Sequence, residues 1–289
     1  DKLNDAIQKK NLGAFYTPTL YAEKSLELVR EAIKRVPIGN DYIILDRCAG
    51  TGNLELGLTD EEKSHAILST VEYYEYKVLL EILGDKVRYI IPPTEKEDTF
   101  NMGLVRGADA LSEEYINNPV IKQYIDNPKC TVILFENPPY AETTSLEHQR
   151  TKQAKASSGW KNSFVVKEMK KEVKGSVSND LGNAFIWSGF KYYLRQPTDS
   201  YIVYSPVKYW KAQHLINKQF INGFGYNRRY FHTNIDACIM VALWANIDSD
   251  IEEIFIRGYD ISSENTLIDY GVLPVSYTHL RAHETDSYL

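Results

Sequence analysis

Apolar positions along the chain fall into two kinds of pattern. Leu20, Leu26, Val29, Ile33 and Val36 recur at helical spacing through residues 19–36, and Pro37 ends the pattern. Residues 41–46 (DYIILD) and 131–136 (TVILFE) are short unbroken apolar runs, as expected of strands buried on both faces. Between them, residues 53–58 (NLELGL) predict the start of a helix and 66–72 (AILSTVE) a second strand. Residues 73–84 predict a helix stopped by Gly84. Residues 87–91 and 103–111 both read as extended, with a polar stretch between them. Further on, 183–194 predicts a helix, 200–206 (SYIVYSP) a strand, and 229–244 a strand pair with a tight turn near Asn234. Strands alternating with helices require right-handed crossovers, which predicts a mostly parallel α/β sheet with helices on both faces. The final pair predicts an antiparallel finish.

Residues 141–180 interrupt this rhythm. They hold eight Lys/Arg against five Asp/Glu, in a chain whose net charge is −6. The segment reads as a polar insertion, either a solvated loop or one that orders on a polyanion. The acidic total does not suggest a general wrapper of nucleic acid, so such contact would come from a local patch. The longest strongly apolar stretch, 237–245, is far shorter than the roughly 20 residues of a membrane span. Residues 1–10 lack the apolar core of a signal peptide. Cys48, Cys130 and Cys238 are an odd number without metal-ligand spacing, which suits a reducing, cytoplasmic setting. His65, His148, His214 and His232 pair with no nucleophile, so a hydrolase has no support. Residues 275–289 (VSYTHLRAHETDSYL) resemble the translation of a transposase-type sequencing adaptor, and are expected to be a non-native tail following a natural sequence cut at about Pro274.

The chemistry concentrates at strand ends. Residues 44–55 (ILDRCAGTGNLE) place an acid at the end of a strand, then Gly50-Thr51-Gly52. In parallel sheets, ligands bind beyond the carboxyl ends of strands, where glycines let backbone approach closely. A dinucleotide site would want a third glycine where Glu55 stands, and no carboxylate just before the turn. Asp46 suits a cationic or amino-bearing ligand instead, such as the methionine part of S-adenosylmethionine. Glu72, twenty residues after Gly52, could accept both hydroxyls of a ribose, and Asp109 the amino group of an adenine ring.

Asn137-Pro138-Pro139-Tyr140 follows the strand at 131–136. An adenine's exocyclic amine is a poor nucleophile because its lone pair is delocalised into the ring. Two acceptors aimed at its two N–H bonds make the nitrogen pyramidal and turn the lone pair outward. The Asn137 side-chain oxygen and the Pro138 carbonyl could be those acceptors. The two prolines fix φ, so the acceptors are in place before substrate arrives. Tyr140 offers a flat face on which a base could stack, worth roughly 1–3 kcal/mol.

With these residues the chain resembles S-adenosylmethionine-dependent DNA adenine-N6 methyltransferases of restriction–modification systems, in the gamma-type motif order. Residues 13–18 (GAFYTP) resemble the family's N-terminal motif, 45–55 its glycine motif, and NPPY its catalytic loop. The resemblance spans residues 11 to about 245. It implies a Rossmann-like methyltransferase fold, a seven-stranded mostly parallel sheet with an antiparallel last strand. It also implies a helical segment at 1–40, a catalytic domain at 41–247 and a truncated region at 248–274. Tyr16, Thr17, Pro18, Asp46, Cys48, Gly50, Gly52, Asn53, Glu72, Tyr73, Asp109 and Ala110 would surround S-adenosylmethionine. Asn137, Pro138, Pro139, Tyr140 and Phe231 would surround the base, Tyr230 competing with Phe231, and no metal is implied. The implied partners are double-stranded DNA with a flipped adenine, and a restriction endonuclease or specificity subunit; no membrane is implied. Arg47 departs from the family, which more often has proline there, and no sequence-reading domain is visible. Protein-glutamine and ribosomal-RNA guanine methyltransferases share an Asn-Pro-Pro-aromatic turn and stand as alternatives. So does a non-catalytic subunit of a restriction complex.

Overall fold

The computed structural model describes residues 17–93, 100–101, 104–105, 108–140, 159–207, 210, 215–227 and 238–277. Eleven strands are seen among them: β1 (Asp41–Asp46), β2 (Ala66–Leu68), β3 (Tyr89–Ile90), β4 (Phe100–Asn101), β5 (Leu104–Val105), β6 (Cys130–Glu136), β7 (Ser200–Pro206), β8 (Lys218–Asn227), β9 (Cys238–Asp248), β10 (Glu253–Ile261) and β11 (Leu267–Ser276). The helices are α1 (Thr19–Lys34), α2 (Asp60–Lys63), α3 (Tyr73–Leu83), α4 (Glu113–Ile116), α5 (Pro119–Ile125), α6 (Phe164–Glu172) and α7 (Leu181–Ser188). No helix among the described residues is long and apolar enough to cross a membrane.

Nine strands form one sheet in the order β11-β10-β8-β9-β7-β6-β1-β2-β3. The pairs among β3, β2, β1, β6 and β7 are parallel, whereas β9 runs antiparallel to both β7 and β8. Seven strands were expected. The other two are β10, parallel to β8, and β11, antiparallel to β10, which prolong the sheet through residues 253–276. Val275 and Ser276, within the stretch set aside as a tail, pair with Ile254 and Glu253.

Side-chain alternation explains why both faces are covered. Ile43 and Leu45 join one apolar cluster and Ile44 the other. The split recurs with Val132 and Leu134 against Ile133 and Phe135, and with Tyr201 and Val203 against Ile202 and Tyr204. A strand apolar at every position is stable only with cover on both sides, each fully buried aliphatic side chain contributing about 1.5–3 kcal/mol. On one face α1 supplies Tyr21, Leu26 and Val29, and α3 supplies Leu79 and Leu83. On the other, α5, α6 and α7 supply Ile121, Met169 and Ile186.

Four local expectations change. The strand pair placed at 229–244 is β8 and β9, displaced outward to 218–227 and 238–248. Its turn near Asn234 lies outside the described residues. Residues 103–111 add no strand to the main sheet, because β5 pairs only with β4 in a separate hairpin. Residues 53–58 form successive tight turns rather than a helix, with Glu55 N donating to Gly52 O at 3.1 Å and Leu58 N to Glu55 O at 3.1 Å. Finally, the insertion is partly built into the core: α6 buries Val165, Val166 and Met169 while presenting its lysines outward.

Candidate active site

Strand order reverses between β1 and β6: β2 and β3 continue one way from β1, and β7 the other way from β6. In open α/β sheets that reversal opens a crevice beyond the carboxyl ends of the two strands. Asp46 ends β1 and Glu136 ends β6, so the glycine turn and NPPY leave the sheet side by side at this point.

The glycine turn is held from below. Ser69 N donates to Asp46 O and Ala49 N to Ser69 O, both at 2.9 Å, tying it to the exit of β2. Gly50 and Gly52 have φ of +57° and +87°, where side chains are disfavoured. Their surroundings differ. A Cβ on Gly52 would lie 2.7 Å from Leu83 Cδ1, so this glycine lets the turn sit on α3. A Cβ on Gly50 would rest in ordinary contact with the Glu75 carboxylate, at 3.8 Å, so there the positive φ rather than crowding calls for glycine.

Asp46 is fully buried and its Oδ1 accepts from Cys48 N at 2.9 Å. Its Oδ2 meets no donor besides the neighbouring carboxyl of Glu55, itself fully buried. Burial, chiefly, pushes Asp46 up to about 7, and pushes Glu55 well above the usual carboxylate range. Each acid therefore holds a proton more readily than an exposed carboxyl does, and the Asp46 charge adds to the push on Glu55. Burial also pushes up the Cys48 thiol, helped by the nearby carboxylates.

The other expected cofactor residues line the adjoining rim. Glu72 is half-buried and caps the start of α3, four residues beyond the end of β2 rather than closing it. Tyr73 is exposed at the first position of that helix. Ala108 N donates to Thr70 O at 2.9 Å, which brings Asp109 and buried Ala110 beside the β2 exit by a loop instead of a sheet strand. Asp109 Oδ1 accepts from Leu111 N at 3.0 Å. Glu75, not singled out in the sequence, faces the glycine turn and accepts from Thr70 Oγ1 at 2.6 Å. Its signal was one helical turn of spacing from Glu72.

Thr17 joins the two loops. Its backbone carbonyl accepts from Asn53 Nδ2 at 2.6 Å, and its Oγ1 accepts from Asn137 Nδ2 at 2.8 Å. The second bond fixes the Asn137 amide, so that its carbonyl oxygen is the group left to act as acceptor. Tyr140, only 8% exposed, donates its hydroxyl to Asn137 Oδ1 across a long 3.3 Å. Pro138 is buried and Pro139 half-buried. Pro18 starts α1, its carbonyl accepting from Tyr21 N and Ala22 N at 3.0 Å. Tyr16, Tyr230 and Phe231 lie outside the described residues.

Between the loops sits a pair the sequence showed only in half. Arg47, the departure from the family pattern, forms a two-pronged ion pair with Glu136, Nε to Oε2 at 2.8 Å and Nη2 to Oε1 at 2.7 Å. Both side chains have 0% exposure. Asp46, Cys48 and Glu136 bring ligand atoms within 4.8 Å of one another, spacing a metal ion could use. Yet Glu136 Oε1 already accepts from Arg47 and Tyr201, and Oε2 twice from Arg47. Its lone pairs are spent, and we assign no metal there.

No protein-family profile and no curated protein matches the chain in sequence. Solved structures do match in fold. The chain is similar to one in the cryo-EM structure of the DrdV–DNA complex, with TM-score 0.52 and 14% identity, covering 87% of this chain and 28% of that one. Weaker likenesses, both of TM-score 0.43, are to the Type IIL restriction-modification enzyme MmeI in complex with DNA and to a Listeria monocytogenes chain described as a class I S-adenosylmethionine-dependent methyltransferase. Identities are 13% and 14%, and they cover 86% and 78% of this chain, respectively. The chain spans 36% of the MmeI chain and 60% of the Listeria chain.

Proposed function

We propose that the chain is the methyl-transferring part of a restriction–modification enzyme acting on the exocyclic N6 of adenine in double-stranded DNA. The observation that carries the reading is the meeting, at the reversal of strand order, of a glycine turn holding a buried acid and the NPPY turn. A fold neighbour solved on DNA supports the substrate class.

The crevice suits S-adenosylmethionine. Among the described residues, Asp46 Oδ2 accepts from no backbone or side-chain N–H, which leaves it fit for an ammonium group. Glu72, Tyr73 and Asp109 would hold ribose and adenine. When bound, the cofactor supplies an electrophilic methyl group on a sulfonium. Asn137 Oδ1 and the Pro138 carbonyl would accept the two N–H bonds of the target amine and polarise it, and the proton that the methylated nitrogen sheds would pass to solvent after transfer. Tyr140 stacks on the base, with Phe231 as its counterpart. Entry of the amine replaces the long Tyr140 hydroxyl contact on Asn137. The adenine would be extruded from the duplex, at a cost of a few kcal/mol. A restriction endonuclease or specificity subunit completes the proposed assembly.

Thr17→Val keeps shape but removes the acceptor that orients Asn137. Turnover is expected to fall about 3–10-fold, the worth of one hydrogen bond, with Thr17→Ser near parent; rapid-quench kinetics checks this. Cofactor affinity is expected to depend on pH. Asp46 is pushed up to about 7, so affinity rises as pH rises through that value and the carboxylate forms. It then falls at higher pH, once the cofactor's own amino group deprotonates. Calorimetric titration across these pH values should show affinity rising through about 7.

Incubation with radiolabelled S-adenosylmethionine and DNA, RNA or protein tests the substrate class. Label in DNA supports the proposal. Label in RNA or protein alone favours the guanine- or glutamine-modifying relatives of this turn.

A further inference from the structure

We propose that Arg47 and Glu136 are positioning residues, a buried strut that sets the distance between the cofactor turn and the acceptor turn. Arg47 immediately follows Asp46, and Glu136 immediately precedes Asn137. Their strands are neighbours in parallel register, Leu45 lying opposite Leu134. Beyond the last paired residues, sheet hydrogen bonds no longer hold the two backbones together. The strut takes over there. Arg47 grips Glu136 with its backbone N at 3.2 Å as well as with its guanidinium.

The guanidinium is fixed from every side. Nη1 donates to Ser188 Oγ at 2.8 Å, and Nη2 to the Phe185 carbonyl at 2.8 Å. The rings of Tyr193 and Phe185 lie 4.7 and 5.2 Å from its central carbon. Tyr201 donates to Glu136 Oε1 at 2.6 Å, anchoring the acid to β7. Stability alone does not explain such a pair. Apolar residues of similar volume commonly serve a core as well as or better than a buried ion pair, because both charges must shed water. What an ion pair with two parallel bonds adds is direction and distance. In-line transfer between two loops is sensitive to these, a misplacement of 1 Å costing on the order of 100-fold.

The kinetic arm of the test rests on the methyl-transfer reading, whereas the exchange arm does not. The full chain carrying Arg47→Met, Glu136→Leu and Tyr201→Phe together is compared with the parent. It is expected to unfold cooperatively in urea and to bind S-adenosylmethionine within about threefold of parent. Single-turnover transfer to an adenine-containing duplex should fall on the order of 10- to 100-fold. A rate within twofold of parent, in a folded variant with intact binding, overturns the proposal. Should the triple variant not fold, Tyr201→Phe alone loosens Glu136 while keeping the ion pair. It should then slow transfer several-fold at unchanged cofactor affinity, and an unchanged rate overturns the strut.

If the parent binds cofactor but methylates no duplex, the adenine reading fails and the strut is judged by hydrogen exchange. Amides of residues 48–50, Asn137 and Tyr140 should exchange at least tenfold faster in the variant, those of β1 and β6 staying protected. Equal protection of both loops in variant and parent contradicts it.

Discussion

Asn137→Ala is expected to lower methyl transfer by about 100- to 1,000-fold, as when one preorganised polar group is removed from a reaction centre, with cofactor affinity nearly unchanged. The two effects separate because Asn137 lies on the β6 side of the crevice and Asp46 on the β1 side. Losing the amide removes one acceptor and the bond to Thr17, but the prolines still hold the turn. Asp46→Asn should give the converse, weak binding and a smaller defect at saturating cofactor. Rapid-quench kinetics with calorimetry distinguishes them, and loss of binding in Asn137→Ala would count against its assigned role.

Glu136→Ala should be the most damaging single change to stability, about 3–5 kcal/mol by urea denaturation, because it leaves the Arg47 guanidinium buried without its counter-ion. Burial opposes that charge, and Glu136 is what holds the guanidinium protonated well above its ordinary range. Comparison with Arg30–Glu62 sets the scale. That pair also has two contacts, at 2.9 and 3.3 Å, but the Arg30 side chain is 44% exposed. Arg30→Ala should change stability by no more than about 1 kcal/mol. Equal losses in the two variants would mean that burial is not what makes the inner pair matter.

The readable parts of the fold were those whose signal is local. The strands at 41–46 and 200–206 have the bounds expected, because an unbroken apolar run between polar ends needs no distant partner to be recognised. Residues 253–261 (EIFIRGYDI) alternate buried and open positions in the structure, a period-two pattern visible in the sequence. Residues 53–58 predict a helix because Leu54 and Leu58 carry helical spacing, whereas two positive-φ glycines and the buried Glu55 impose tight turns.

At the candidate site, the glycine turn, Asp46 and NPPY can be proposed from the sequence because the residues of each are contiguous. The Arg47–Glu136 pair was not, since its members lie 89 positions apart. An arginine at the mouth of a buried strand was the available clue, because such a charge requires an acid nearby. In the sequence Glu55 marks only the place of a missing glycine. Its role beneath Asp46 depends on how the turn folds back, which spacing does not reveal.

Digesting double-stranded DNA after reaction with S-adenosylmethionine, and identifying the methylated nucleoside by mass spectrometry, tests the central claim most directly. The expected product is N6-methyladenine, formed by the parent and lost with Asn137→Ala. A methyl group found only on a ring carbon, or equal N6-methyladenine from both proteins, would contradict it.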